Sequence, residues 1–238
     1  MARRTKHESA QTRESILDAA EAEMLERGVT QTSLDRIARR AEVTRGAIYW
    51  HFEDKMAILE AMIRRTKLPL RDLRHCLSEH IPGADSDPVR LLREMMLHGI
   101  YRLAHDEQHR RVCHIVLHRC EMSNDTRATS RILDAMFDET RDVLTSLCDE
   151  ISALGLLRPG LTVINVVDII STMMAGLYQC SLRHPDSFNV DDNIERRLDA
   201  VLFGVFDIDL DDTAPRSRLC ASAVTPESLA SAPPEDHH

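Results

Sequence analysis

From Thr12 onward the apolar residues of this chain return every three or four positions, the period of a helix rather than the alternation of a strand. Ile16, Leu17, Ala20 and Met24 place one face of a helix over Thr12 to Arg27 against a core, and Gly28 is its C-terminal stop. Leu34, Ile37, Ala38 and Ala41 mark a short second helix with Ser33 as N-cap. Glu42 and Val43 make a turn, Thr44 is a second N-cap, and Ile48 points inward from a third helix. Asp54 caps a fourth helix carrying Ile58, Leu59, Met62 and Ile63, which Pro69 kinks or ends. Pro88 opens a helix to about His105, and the next covers about Gln108 to Cys120, with a break at Met122 to Asp125. Ile132, Leu133, Met136, Val143, Leu144 and Leu147 line a long helix closed by Gly155. Val163 to Leu182 is the most apolar helix, His184-Pro185 ends it, and Asp191 to Phe206 is the last. The pattern predicts nine helices, no strands and no repeats, an all-α chain.

The helix from Val163 carries Val163, Val166, Val167, Ile169, Ile170, Met173, Met174 and Leu177, a stripe too wide for one core face. A two-fold partner is the simplest cover for the second face, since the last helix also shows Ile194, Leu198, Val201, Leu202 and Val205. Met1 to Gln11 reads as a basic, mobile arm. Residues 207–238, rich in Ser, Ala, Pro and Asp, lack apolar periodicity and read as a disordered acidic tail.

Composition changes the picture in three places. Only eight glycines and 4% aromatic residues fit a helical chain, and no apolar run is expected to approach bilayer length. The N-terminus shows no secretory pattern, so the protein is expected in the cytoplasm, with its six scattered cysteines as reduced core thiols. The net charge of −9 is unevenly spread along the chain. The stretch from Asp207 onward is strongly acidic, whereas acids and bases balance over residues 1–55. There the acids gather on the first helix (Glu14, Asp18, Glu21, Glu23, Glu26), and the bases on the arm and the second and third helices. A local basic face governs phosphate binding more than global charge does.

Thr32 to Phe52 therefore reads as a helix-turn-helix whose second helix can enter a major groove. Arg45 can offer its planar fork to O6 and N7 of guanine. Gly46 allows the backbone close to a strand, and Ala47 offers a methyl to thymine. Tyr49, His51 and Lys55 can donate to phosphates, and Trp50 faces outward beside them. Arg36, Arg39 and Arg40 fall on the outer side of the preceding helix.

The stretch TSLDRIARRAEVTRGAIYWHFEDK resembles the DNA-binding signature of the TetR family, in its AcrR-like branch of multidrug-efflux repressors. The opening RRTK and Gln11-Thr12-Arg13 fit that branch. One departure is Glu42, where the family usually has glycine; a left-handed backbone there costs about 1 kcal/mol. The resemblance implies an N-terminal arm and DNA-binding domain over residues 1–55 and a ligand-binding and dimerisation domain over 56–206. It also implies a homodimer on a palindromic operator, released by a hydrophobic effector, with the last two helices of each subunit forming the dimer interface.

Met95, Met96, Met174, Cys113, Leu117, Leu144 and Tyr178 suggest a broad apolar cavity, because methionine repacks around ligands of different shape. HRCEM at His118 to Met122 is similar to the end of the sixth helix in AcrR-like repressors, which their effector pockets use. His105, His109 and Cys113, and His114 with His118, repeat at i, i+4, a metal-ligand spacing. The two sets point apart and have no CxxC or HExxH companion, so solvated or core histidines are the better reading and no metal or cofactor is expected. No catalytic constellation stands in the chain, so an enzyme is not expected. The rival to a repressor is a ligand-independent helical scaffold with a vestigial motif.

Overall fold

The structure, a computed structural model, describes residues 2–66, 73–75, 87–120, 127–184 and 193–208. Nine α-helices are named among them: α1 (Ala2–Arg27), α2 (Leu34–Arg40), α3 (Arg45–His51), α4 (Lys55–Thr66), α5 (Pro88–His105), α6 (Glu107–His114), α7 (Arg127–Ala153), α8 (Val163–Arg183) and α9 (Ile194–Val205). Helix α6 runs on as a π-helical stretch, Ile115–Arg119. An isolated antiparallel bridge joins Leu157 and Phe206, and no strand is found among the described residues. The kink at Pro69, the break at residues 122–125 and the tail from residue 209 lie outside the described residues. Two compact units divide the chain, residues 1–67 with 107–137 and residues 68–106 with 138–238.

In the first unit, Ile16, Leu17, Ala20 and Met24 of α1 share a core with Ile37 and Ala38 of α2 and Ile48 of α3. Ile58, Leu59 and Met62 of α4 and Val112, Ile115 and Val116 at the end of α6 complete it. Full burial of each large aliphatic side chain contributes about 1.5–3 kcal/mol. A boundary at residue 55 therefore runs through a shared core, because α4 and α6 pack with the helix-turn-helix. The arm expected to be mobile is helical from Ala2. Residues 2–11 contain neither proline nor glycine, and their Ala, Arg, Lys, Glu and Gln favour helix. Thr12 consequently sits inside α1, where its Oγ1 donates to the Glu8 carbonyl at 2.9 Å.

The local punctuation is as predicted. Gly28 ends α1 at φ +86°. Ser33 Oγ accepts from Arg36 N at 3.3 Å, Thr44 Oγ1 from Ala47 N at 3.2 Å, and Asp54 Oδ1 from Ala57 N at 2.8 Å. Such caps contribute about 1 kcal/mol each. Between α2 and α3, Glu42 adopts φ +56°. Val43 N donates to Ala38 O at 3.0 Å and Glu42 N to Arg39 O at 3.3 Å, the paired bonds of a Schellman turn.

In the second unit α5 is the central element, with Leu91, Leu92, Met95, Met96, Leu97, Ile100 and Leu103 buried around it. Asp87 caps it and Pro88 starts it. Arg93 ties α5 to α9 through Asp199 (2.6 and 3.1 Å) and Glu195 (3.1 Å). Tyr178 of α8 donates to Gly99 O at 3.1 Å. A Cβ at position 99 would lie 3.1 Å from the Tyr178 hydroxyl, so glycine there permits the close crossing. Thr162 and Asn165 close a capping box at the start of α8, a signal passed over in the sequence.

Helix α8 buries Val166, Val167 and Ile170 but leaves Ile164 63% and Ile169 40% exposed. The second apolar face expected of it is thus open in the protomer. Its 21 residues are long and apolar enough, by length and composition alone, to cross a membrane, whereas the sequence suggested no such run.

Candidate nucleic-acid interface and effector region

The fold presents α3 outward. Ile48 anchors it in the core, while Tyr49 is 50% and Trp50 82% exposed, a costly display of aromatic surface for a hairpin that merely packs. Arg45 and Gly46 are also exposed, and Ala47 is half-buried. A Cβ at Gly46 would meet only Thr44 Oγ1, at 3.8 Å, so the outer side of the backbone is open to close approach. His51 is half-buried, its ring 6.3 Å from that of Phe52.

Arg45 is held from two sides. Nη1 donates to Asp35 Oδ1 at 3.3 Å and Nη2 to Tyr49 Oη at 3.0 Å, with the guanidinium 5.5 Å above the Tyr49 ring. The bond to Tyr49 and then the charge of Asp35 raise its pKa further, so it is a permanent cation.

Lys55 departs from the phosphate role expected of it. Its ammonium donates to the carbonyls of Val29 (2.6 Å), Thr30 (3.2 Å) and Thr32 (2.9 Å), one for each of its three N–H groups. It therefore locks the α1–α2 loop that leads into Ser33. Arg40 likewise faces α1, pairing with Glu23 at 2.9 Å and Glu26 at 2.6 Å. All three arginines expected outside, Arg36, Arg39 and Arg40, are exposed.

The sequence placed Glu21 among the acids of the first helix without setting it apart, and it is 3% exposed. Arg65 of α4 reaches its Oε2 at 2.9 Å and Arg111 of α6 its Oε1 at 2.5 Å. Arg65 also pairs with Asp18 at 2.6 Å. The missed signal was position: Glu21 lies four residues after Leu17 and three before Met24, on the buried face.

The predicted effector residues divide between the units. Met95 and Met96 lie within the core of the second, with Leu144 and Met174 packed against it and Tyr178 bonded to Gly99. Cys113 and Leu117 belong to the first unit, where Cys113 Sγ lies 3.5 Å from His109 Nε2 and Leu117 packs on the core. Two polar groups of α5 were missed: Glu94 and His98, one turn apart and each 4% exposed. His98 Nε2 has no partner among the described residues. Burial and then the Arg102 charge push its pKa down to about 4, so its ring is neutral.

His114 and His118 have ring centroids 5.1 Å apart, each with a buried ring nitrogen that finds no partner among the described residues. Burial, then His118 and Arg119, lower the His114 pKa. Among the described residues no three or more His, Cys, Asp or Glu side chains converge to hold a metal. Cys113, Cys120, Cys148 and Cys180 are not in disulfides. Burial raises Cys120 to about 11, and burial with Asp149 raises Cys148 to about 12, so both are inert thiols. Cys180 is exposed on α8 rather than in a core, and Cys76 and Cys220 lie outside the described residues.

Residues 16–62 match the family of bacterial regulatory proteins, tetR family, and residues 87–205 match the C-terminal region of MAATS-type transcriptional repressors. The chain belongs to the TetR family. It is 30% identical over 190 residues to the HTH-type transcriptional regulator AcrR of Shigella flexneri, covering 80% of this chain and 87% of that one. NalD, the secondary repressor of the MexAB-OprM multidrug efflux pump in Pseudomonas aeruginosa, superposes with a TM-score of 0.76 at 33% identity. That match covers 84% of this chain and 98% of NalD. SmeT, the repressor of the Stenotrophomonas maltophilia multidrug efflux pump SmeDEF, superposes in its triclosan complex with a TM-score of 0.71 at 31% identity. That match covers 82% of this chain and 92% of SmeT. The AcrR-like branch expected from the α2–α3 motif is thus the one in which these relatives lie. The two matched regions make this TetR-family protein a transcriptional repressor with a DNA-binding N-terminal region.

Proposed function

We propose that this protein represses a multidrug-efflux operon as a dimer and is released from its operator by a hydrophobic small molecule, acting in the cytoplasm where its DNA is. The observation that carries the DNA-binding half is α3, capped by Thr44, anchored by Ile48, and displaying Arg45, Tyr49 and Trp50 outward. A vestigial motif has no reason to keep both caps and an 82% exposed tryptophan. Arg45 reads a guanine edge, and Tyr49, Trp50 and His51 contact the backbone. Footprinting of Arg45→Ala tests this: affinity should fall roughly five- to hundredfold per half-site, with relaxed preference at one guanine. Unchanged affinity and preference would remove α3 as the recognition helix.

The open face of α8, with the outer side of α9, is the proposed two-fold interface. A Cβ at Gly176 or Gly204 meets nothing within 4 Å in the protomer. Glycine inside a helix costs about 0.5–1 kcal/mol relative to alanine, which a close helix crossing between subunits would offset.

For the effector, the methionines of the second unit suit a hydrophobic compound such as the triclosan bound by SmeT. His98 adds a neutral hydrogen-bonding atom among them, which favours uncharged ligands carrying a hydroxyl. Cys113 and Leu117, in the first unit, are not needed for this reading. An effector that prefers one packing of the second unit shifts the dimer away from operator-competent spacing, and about 1–3 kcal/mol of coupling suffices. Met174→Trp should blunt release by triclosan in a gel shift while leaving operator binding near normal.

A further inference from the structure

The arginine proposed to read a base carries an acid of its own protein beside it. Asp35, in the first turn of α2, receives Arg45 Nη1 on both carboxylate oxygens, at 3.3 and 3.4 Å. The Asp35 carbonyl meanwhile accepts from Arg39 Nε at 3.3 Å. The two paired side chains are 59% and 55% exposed, and such surface pairs add little to folding. Any effect of this pair is therefore felt in binding.

The geometry leaves Arg45 competent. A guanidinium has five N–H groups, and the bonds to Asp35 and Tyr49 leave hydrogens for a guanine edge. Tyr49 Oη, having accepted from Arg45, keeps its own hydrogen to give to a phosphate.

We propose that Asp35 sets specificity: it is a built-in counterion that discourages Arg45 from resting on any phosphate and aims its guanidinium at a base. The inference rests on α3 being the recognition helix. A phosphate carries a full negative charge, so bringing Arg45 onto one also brings Asp35 against it. Guanine O6 and N7 carry only partial charge, so the same approach to a base edge meets far less repulsion. Asp35 therefore weakens contact with arbitrary sequence more than contact with the right one, which is discrimination by a repulsive element. It also removes part of the counterion release that an unpaired Arg45 would gain on any DNA.

The test uses the full-length dimer, a duplex that the wild type selects from random sequence, and a scrambled duplex, titrated by fluorescence anisotropy across salt concentrations. Asp35→Asn should raise affinity for scrambled DNA by about three- to tenfold and steepen the salt dependence by about one ion per subunit. Affinity for the selected duplex should change less than about threefold, so the specificity ratio falls. Asp35→Glu, which keeps the charge, should retain most of the ratio, and thermal melts confirm that each variant folds. In an Arg45→Ala background, Asp35→Asn should no longer move the ratio. Equal changes on both duplexes, or none on either, would overturn the role of Asp35. If Arg45→Ala alone leaves the ratio intact, the assignment of α3 falls first and takes this inference with it.

Discussion

In the first unit Glu21 is 3% exposed and held by arginines from two other helices; in the second, His98 is 4% exposed and its Nε2 meets no partner among the described residues. Both are polar groups inside a core, yet they sit on opposite sides of the rule that buried polar atoms are bonded. Glu21 is closed on itself and serves rigidity, joining α1, α4 and α6 into the body that carries α3. His98 is neutral, and its Nε2 has no partner among the described residues of the unit where a ligand is proposed to bind. Unpaired nitrogens do not by themselves separate the units, since His114 and His118 of the first also keep a buried ring nitrogen with no partner among the described residues. The difference is that Glu21 is a paired charge whereas His98 is held neutral.

The comparison breaks most readily at Glu21. Glu21→Ala removes the buried carboxylate that Arg65 and Arg111 share, and should cost about 3 kcal/mol in chemical unfolding. A loss below a few tenths would mean that the cluster is only a solvated surface. On the other side, the His98 ring is pushed down to about 4 from an unfolded value near 6.5. The unfolded chain thus binds more protons than the folded one between those values. Stability should be unaffected above pH 6.5 and fall as pH drops toward 4, by up to about 3 kcal/mol. His98→Gln should flatten that fall in urea titrations; an identical pH profile would show that other groups carry it.

Smaller in folding energy is Gly204→Arg on the open side of α9. The protomer has room for it, so its melting should change little while sedimentation shows monomers. An intact dimer would move the interface elsewhere. Smallest is Glu42→Gly, which relieves the left-handed backbone at φ +56° and should stabilise the first unit by about 1 kcal/mol.

What the sequence disclosed and what it hid separate by distance along the chain. Ser33, Thr44 and Asp54 each cap a nitrogen three residues on, and Gly28 closes its own helix, so side-chain type and spacing were enough. Glu42 was legible for the same reason: the turn demands one backbone shape whatever stands there. Lys55 meets carbonyls 23 to 26 residues back, Arg40 meets α1, and Arg111 meets Glu21 across 90 residues. Nothing local tells which cations will find partners so far away along the chain. The start of α1 was misplaced at Thr12 because the apolar period begins only after it, whereas the polar residues before it also favour helix. In the second unit the open face of α8 was legible from its width, but that His98 Nε2 finds no partner among the described residues depends on neighbours distant in the chain.

The π-helical stretch at the end of α6 gives the first unit a vernier. Its last residue, Arg119, accepts Val29 N at 2.9 Å, and a Cβ at Gly28 would stand 3.4 Å from that same carbonyl. A π turn holds one residue more than an α turn, so returning Ile115–Arg119 to α geometry slides the carbonyl by one residue's rise, about 1.5 Å, and turns it about the axis. A 2.9 Å bond has no slack of that size. Val29 is thus held at both ends of its peptide, its N–H by Arg119 and its carbonyl by Lys55 at 2.6 Å.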